Sequence, residues 1–217
     1  MAVKVEAWGD YACFSRPELK VERVSYDIMT PSAARGILEA VYWHPGLCWH
    51  IDRIHVLNPI RFTNIRRNEV KSKISKQKAK AAMLGSGEPL FLSAPDDIQQ
   101  RAAMVLRDVR YVIEAHFTMT DNANETDNEG KFQDIVIRRL RRGQCYHRPY
   151  FGCREFPVNF SLFEGEEIHS IYEGQVRDLG YMLYDMDYSD PANIVPMFFR
   201  AKLKNGVLDL RDCEVVR

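Results

Sequence analysis

The sequence predicts an α+β protein in which strand, helix, strand, strand, helix and strand follow one another, the split βαβ plan, with a small antiparallel β extension after it. Three observations predict it. Residues 109–119, VRYVIEAHFTM, alternate between two faces as a strand does. Two amphipathic segments, at 31–41 and 131–142, carry helix start and stop signals. From Gly165 onward the composition turns acidic and strand-rich, with candidate strands at 179–186, 196–204 and 207–210. The expected division is a main domain over 1–163 and a β-rich unit over 164–217.

In chain order, residues 2–8, AVKVEAW, alternate and end at Gly9-Asp10, a strand closed by a turn. Residues 11–29 read as a loop or short hairpin. There Tyr11, Phe14 and Tyr26 stand among Arg16, Lys20 and Arg23, a mixture suited to base stacking or to ordinary packing. Thr30 caps the first helix, Pro31 suits its first position, and Ala34, Ile37, Leu38 and Val41 recur at helical spacing until Pro45-Gly46 ends it. Residues 49–57 and 59–67 read as strands. Residues 68–80 lack a sustained apolar stripe and are expected to form a mobile, exposed arm, basic over about 66–80.

A turn over GSGEP at 85–89 comes before the long alternating strand. In that strand Tyr111, Ile113, Ala115, Phe117 and Met119 share one face, and Val112, Glu114, His116 and Thr118 share the other, more polar one. The turn-prone run TDNANETDNEG at 120–130 supplies the cap of the second helix. Phe132, Ile135, Val136 and Leu140 form its apolar stripe, arginines gather at its C-terminal end where the dipole favours cations, and Gly143 stops it. Residues 148–163 add strand-like sequence.

A chain of 217 residues with 46% hydrophobic content buries a real core. No apolar run approaches the ~20 residues of a bilayer span, and the N-terminal MAVKVEAWGD lacks a signal pattern, so a cytoplasmic location without membrane contact is expected. The five scattered cysteines are odd in number and never form C-x-x-C, which argues for reduced thiols rather than a disulfide framework or zinc ribbon.

Thirty basic and thirty acidic residues cancel, yet the charge is polarised. Residues 61–80 hold eight Lys or Arg against Glu69 alone, and residues 164–190 hold eight acids against Arg177. A second cluster, Arg138, Arg139, Arg141, Arg142 and Arg148, lies at the end of the second helix. One such run is as well explained by a solvated face; two make a face for polyanions, and nucleic acid is the expected ligand class.

Nucleotide-binding glycine motifs, H-E-x-x-H and the aromatic signature of RNA recognition motifs are all absent. His44, His50 and His55 fall on a helix end and on opposite faces of one strand, so neither a metal site nor a cofactor is expected. RNA cleavage without metal needs only a base for the ribose 2′-hydroxyl, an acid for the leaving 5′-oxygen and a group to steady the phosphorane. His116 titrates in the right range for either proton transfer, and Tyr42 at the end of the first helix can donate a hydrogen bond. The residues equally fit a satisfied strand histidine and a half-buried packing tyrosine.

Four blocks carry a resemblance: WGDYACFSRPELKVERVSYDIMTPSAARGILEAVYWHP at 8–45, RRNEVKSK at 66–73, LRDVRYVIEAHF at 106–117 and RPYFGCREFPVNF at 148–160. Together they resemble the Dvulg-subtype RAMP proteins of type I-C CRISPR systems. The resemblance implies a ferredoxin-like (RRM-like) βαββαβ domain with the β extension. It also implies an endoribonuclease that cuts precursor CRISPR RNA at the base of the repeat hairpin without metal, leaving 2′,3′-cyclic phosphate ends. Such a protein stays on the 5′ handle within the interference complex, beside its other subunits.

By position, the family's catalytic tyrosine and histidine match Tyr42 and His116, while a lysine that some relatives carry just before the histidine is replaced by Ala115. Arg66, Arg67, Lys71, Lys73, Lys76, Arg138, Arg139, Arg141 and Arg142 are the expected RNA contacts. A second reading makes the chain a catalytically weak or silent subunit that caps the CRISPR RNA and binds double-stranded DNA.

Overall fold

The computed structural model describes residues 2–217 except Lys20, Ser86 and Glu88. Lys20 of the 11–29 mixture and two positions of the GSGEP turn therefore lie outside the described residues. In chain order come β1 (Val3–Ala12), β2 (Arg23–Val24), α1 (Pro31–Val41), β3 (Leu47–Val56), β4 (Phe62–Val70), α2 (Lys76–Met83) and β5 (Ile98–Met119). Then follow α3 (Glu129–Arg142), β6 (Asn159–Leu162), β7 (Val176–Asp187), β8 (Val195–Lys204), β9 (Val207–Asp209) and β10 (Val215–Val216).

The result is a mixed α/β molecule built on one large sheet, ordered β10-β8-β9-β3-β5-β1-β6, with β2 and β4 also on β5 and β7 on β8. Every ladder is antiparallel except the short β2–β5 pair. β5, 22 residues long, is the spine. Its first half pairs with β4, its second half with β1 and β3, and Asp108 takes a left-handed backbone (φ 53) where the partners change.

Two of the helices, α1 and α3, cover one face. Thr30 Oγ1 accepts from Ala33 N at 3.3 Å, so α1 starts where its cap predicts, and it buries Ala34, Ile37, Leu38 and Val41. Burial of each large apolar side chain contributes about 1.5–3 kcal/mol. α3 is capped by Asn128, whose Oδ1 accepts from Lys131 N at 2.9 Å, and stops at Gly143 (φ 61), which fits a helix end without a Cβ clash. Phe132 of α3 meets Phe117 of β5 at 6.3 Å and Tyr42 at 5.9 Å, so the Tyr111-Ile113-Ala115-Phe117 face of β5 is the core face.

Four expectations need correction. β1 does not close in a turn at Gly9-Asp10 but runs through them to Ala12, with Gly9 opposite Val109 of β5. Residues 68–80 are built into the fold rather than a loose arm. Asn68–Val70 continue β4 against Ile98–Gln100, Asp97 accepts from Ser72 N at 2.7 Å, and Lys76–Met83 are helical although α2 buries no residue. Strand pairing satisfies backbone groups whatever the side chains, and KQKAKAAM is rich in good helix formers, so neither needs an apolar stripe.

The strand-like 148–163 segment is strand only over Asn159–Leu162; before it the chain turns tightly at Gly152 (φ 77), where an added Cβ would collide with the Cys13 carbonyl. His50 and His55, finally, share one face of β3. The register against β5 shifts between Ile51 and Arg53, so Asp52 is a bulge residue that reverses the alternation, and its freed carbonyl accepts from Leu210 N at 2.9 Å.

Candidate active site and nucleic-acid interface

The bulge assembles the site. On the face of the sheet away from the helices, His116 lies directly opposite His50, and their rings stack at 5.0 Å with 17° between planes. His116 Nδ1 lies 2.9 Å from both Asp52 carboxylate oxygens and donates to them, which fixes the ring and leaves Nε2 as the outward nitrogen. Its side chain is 41% exposed, so a substrate can reach it. His50 Nε2 sits 2.9 Å from Thr118 Oγ1. Burial, then the neighbouring His116, push the His50 imidazole below its ordinary pKa, with Asp52 opposing.

Beside the pair, Glu114 gathers Arg53 Nη1 at 3.1 Å, His55 Nε2 at 3.2 Å and Lys4 Nζ at 3.8 Å. His55 is nearly buried, and desolvation holds its pKa down. This group is already satisfied internally. Among the described residues no three His, Cys, Asp or Glu side chains converge as a metal centre requires.

Tyr42 stands elsewhere. It is the residue after α1, 7% exposed, with its ring against Phe132 and the Arg139 guanidinium 5.0 Å above it. Burial raises its phenol pKa while Arg139 opposes. Because it packs on the Phe117 side of β5, the sheet stands between Tyr42 and His116, and the structure does not bring the two together. Ala115 also points to that core side and is fully buried.

The nine expected RNA contacts divide in the same manner. Arg66, Lys71, Lys73 and Lys76 are exposed on β4 and the segment leading into α2, and Arg138 and Arg142 are exposed on α3; none has an ion-pair partner among the described residues. The other three have partners within the chain, Arg67 and Arg139 half-buried and Arg141 on the surface. Arg67 pairs with Glu155 and lies over Phe156, Arg139 donates to the Val41 carbonyl at 2.6 Å, and Arg141 pairs with Glu164 at 2.9 Å. Sequence reasoning missed Asp52 and His50 as members of the site. The only signal was their closeness along β3, and simple alternation disguised it.

Comparison with known proteins identifies the family. Residues 2–211 match the Cas_Cas5d family, described as CRISPR-associated protein (Cas_Cas5). A protein of Mannheimia succiniciproducens named CRISPR pre-crRNA endoribonuclease Cas5d is 50% identical over 213 residues, spanning 96% of this chain and 94% of that protein. One of the same name from Thermus thermophilus is 39% identical over 226 residues, spanning 96% and 90%. A solved structure described as a CRISPR-associated protein superposes with a TM-score of 0.73 at 23% identity, over 100% of this chain and 97% of its own, and so shares the fold. The chain belongs to the Cas5d family of CRISPR-associated proteins.

Proposed function

We propose that this protein is an endoribonuclease that cleaves precursor CRISPR RNA at the base of the repeat hairpin without metal, and stays on the 5′ handle within the interference complex. The activity follows the names of its relatives, 50% and 39% identical over most of the chain. The observation that carries the chemistry is the accessible His116 held by Asp52 on the open face. An imidazole oriented by a carboxylate is suited to proton transfer, and the reaction it serves is attack of the 2′-oxygen on the adjacent phosphorus with release of a 5′-hydroxyl. Arg66, Lys71, Lys73, Lys76, Arg138 and Arg142 then bind phosphates, and Tyr42 fixes the end of α1.

The strand order β6-β1-β5-β3, with α1 leading into β3 and α3 into β6, supports a ferredoxin-like βαββαβ reading of residues 1–163. Residues 164–217 are then the β extension, joined through β9 on β3. Five unpaired cysteines suit a cytoplasmic setting. The unpaired lysines also favour a second polyanion, double-stranded DNA, on the same surface; competition between duplex DNA and the repeat hairpin measures that directly.

Single-turnover cleavage of a labelled repeat hairpin in EDTA tests the assignment. His116→Ala is expected to lose about 10²- to 10⁴-fold in rate with RNA affinity within a few-fold, whereas Tyr42→Phe stays within a few-fold of the wild type. Full activity of His116→Ala would overturn the site. Equal losses from both variants would mean that the substrate reaches both faces of the sheet.

A further inference from the structure

Two proton transfers are needed, and one histidine held by one carboxylate accounts for only one of them. Ala115 contributes none: it lacks a proton-bearing group and is fully buried on the helix-covered face. His50 is the other imidazole at the site, exposed, stacked on His116 at 5.0 Å and held through Nε2 against Thr118. We propose that His50 is the general base of RNA cleavage and His116 the general acid, so that one stacked pair across β3 and β5 handles both protons. The inference rests on the nuclease reading above.

The step balances within the substrate and the pair. The 2′-hydroxyl gives its proton to His50 as the O2′–P bond forms, and the P–O5′ bond breaks as the His116 imidazolium passes its proton to O5′. No water or other co-reactant is consumed in forming the cyclic phosphate. The division of labour follows the surroundings of each ring. Asp52 accepts from Nδ1 of His116 and so aims its Nε2 outward toward the leaving oxygen, whereas His50 is stacked on a second imidazole and partly desolvated, which favours its neutral form against the opposing pull of Asp52.

The remaining groups near His50 do not reverse this. Across a cleft of ≈ 360 Å³ beside the edge of β3, Arg35 is already paired with Glu39 and Asp185; Tyr184 and Tyr188 line it from the β7 side and Cys48 from β3 itself.

The experiment is the pH dependence of single-turnover cleavage by the full chain in EDTA, using a repeat hairpin and the same hairpin with sulfur replacing the bridging 5′-oxygen at the cut. Sulfur leaves without needing a proton. The wild type is expected to give a bell-shaped profile. His50→Gln loses about 10²- to 10⁴-fold, keeps RNA affinity and its unfolding midpoint, and loses the limb in which rate rises with pH; the sulfur substrate does not restore it. His116→Gln loses the opposite limb, and sulfur does restore it.

His50→Asn, which keeps a hydrogen-bonding group near Thr118, behaves as His50→Gln does if the base is what was lost. A wild-type rate and intact bell in His50→Gln, with His116→Gln inactive, would overturn the role of His50 and leave the nuclease reading standing. Sulfur rescue of His50→Gln instead would reverse the two roles and so refute the assignment. Wild-type activity in His116→Gln would remove the nuclease reading of this face, and the inference with it.

Discussion

At the scale of single residues, Asp52 has the largest influence for its size. As the extra residue of a bulge it reverses the alternation of β3, and as a carboxylate it holds His116 by Nδ1. Asp52→Asn keeps the shape but can present an amide N–H to a nitrogen that must itself donate, so the ring loses its preferred tautomer. The expected outcome is a fall of about 10²-fold or more in the single-turnover rate, with repeat-RNA affinity unchanged. An undiminished rate would show that the carboxylate does not orient His116 for its proton transfer. His116 was legible from the sequence by its place on the polar side of an alternating strand; its partners were not. A bulge depends on pairing between β3 and β5, which are about sixty residues apart, and period-two reasoning has no means of seeing it.

At the scale of elements, local signals located most of the fold. Thr30-Pro31, Asn128 and Gly143 mark helix ends by chemistry confined to a few residues, and the structure uses all of them. β4 and the first half of β5 mix polar residues with apolar ones such as Ile65 and Met104, and what carries β4 on to Val70 and β5 back to Ile98 is the backbone ladder of this ribbon, which leaves no regular pattern of its own in the sequence. That ribbon and α2 present Lys71, Lys73 and Lys76 to solvent with no ion-pair partner among the described residues. Each phosphate such a lysine neutralises releases counterions, so it adds to the salt dependence of RNA binding. Replacing all three by alanine is expected to lower the slope of log K against log salt by roughly 0.7 per lost contact on single-stranded RNA, up to about 2 in all. Titrations of labelled repeat RNA at several salt concentrations measure the slope, and an unchanged slope would mean that this ribbon does not lie on the phosphate backbone.

For the whole molecule, a net charge of zero conceals an unequal use of charge. Four of the eight acids of 164–190 pair with arginines: Asp185 with Arg35, Glu164 with Arg141, Asp178 with Arg200 and Asp187 with Arg217. Most of these are exposed and contribute little stability, but each cancels a cation away from the ribbon and so leaves the lysines as the uncompensated charge. The polarity was visible in the sequence, whereas which acid meets which base depends on the closed fold. The Arg35–Asp185 pair differs from the others by holding elements 150 residues apart. Both side chains are largely covered, the guanidinium donates to Asp185 through Nε and Nη2, each at 3.0 Å, and Nη1 meets Glu39 at 2.6 Å, so α1 is clamped to β7 by a bidentate contact. The three-residue β9–β3 ladder is the sheet's own link between the two halves of the chain, so loss of the clamp is felt by the whole domain. Arg35→Ala leaves two carboxylates facing each other without their cation. With allowance for partial exposure it is expected to cost about 1–3 kcal/mol, read as a lower Tm by roughly 2–4 °C per kcal/mol. Asp185→Asn, which keeps a hydrogen-bond acceptor for the guanidinium, is expected to cost less. An unchanged Tm in Arg35→Ala would mean that apolar packing of β7 on α1 holds the extension in place without the ion pair.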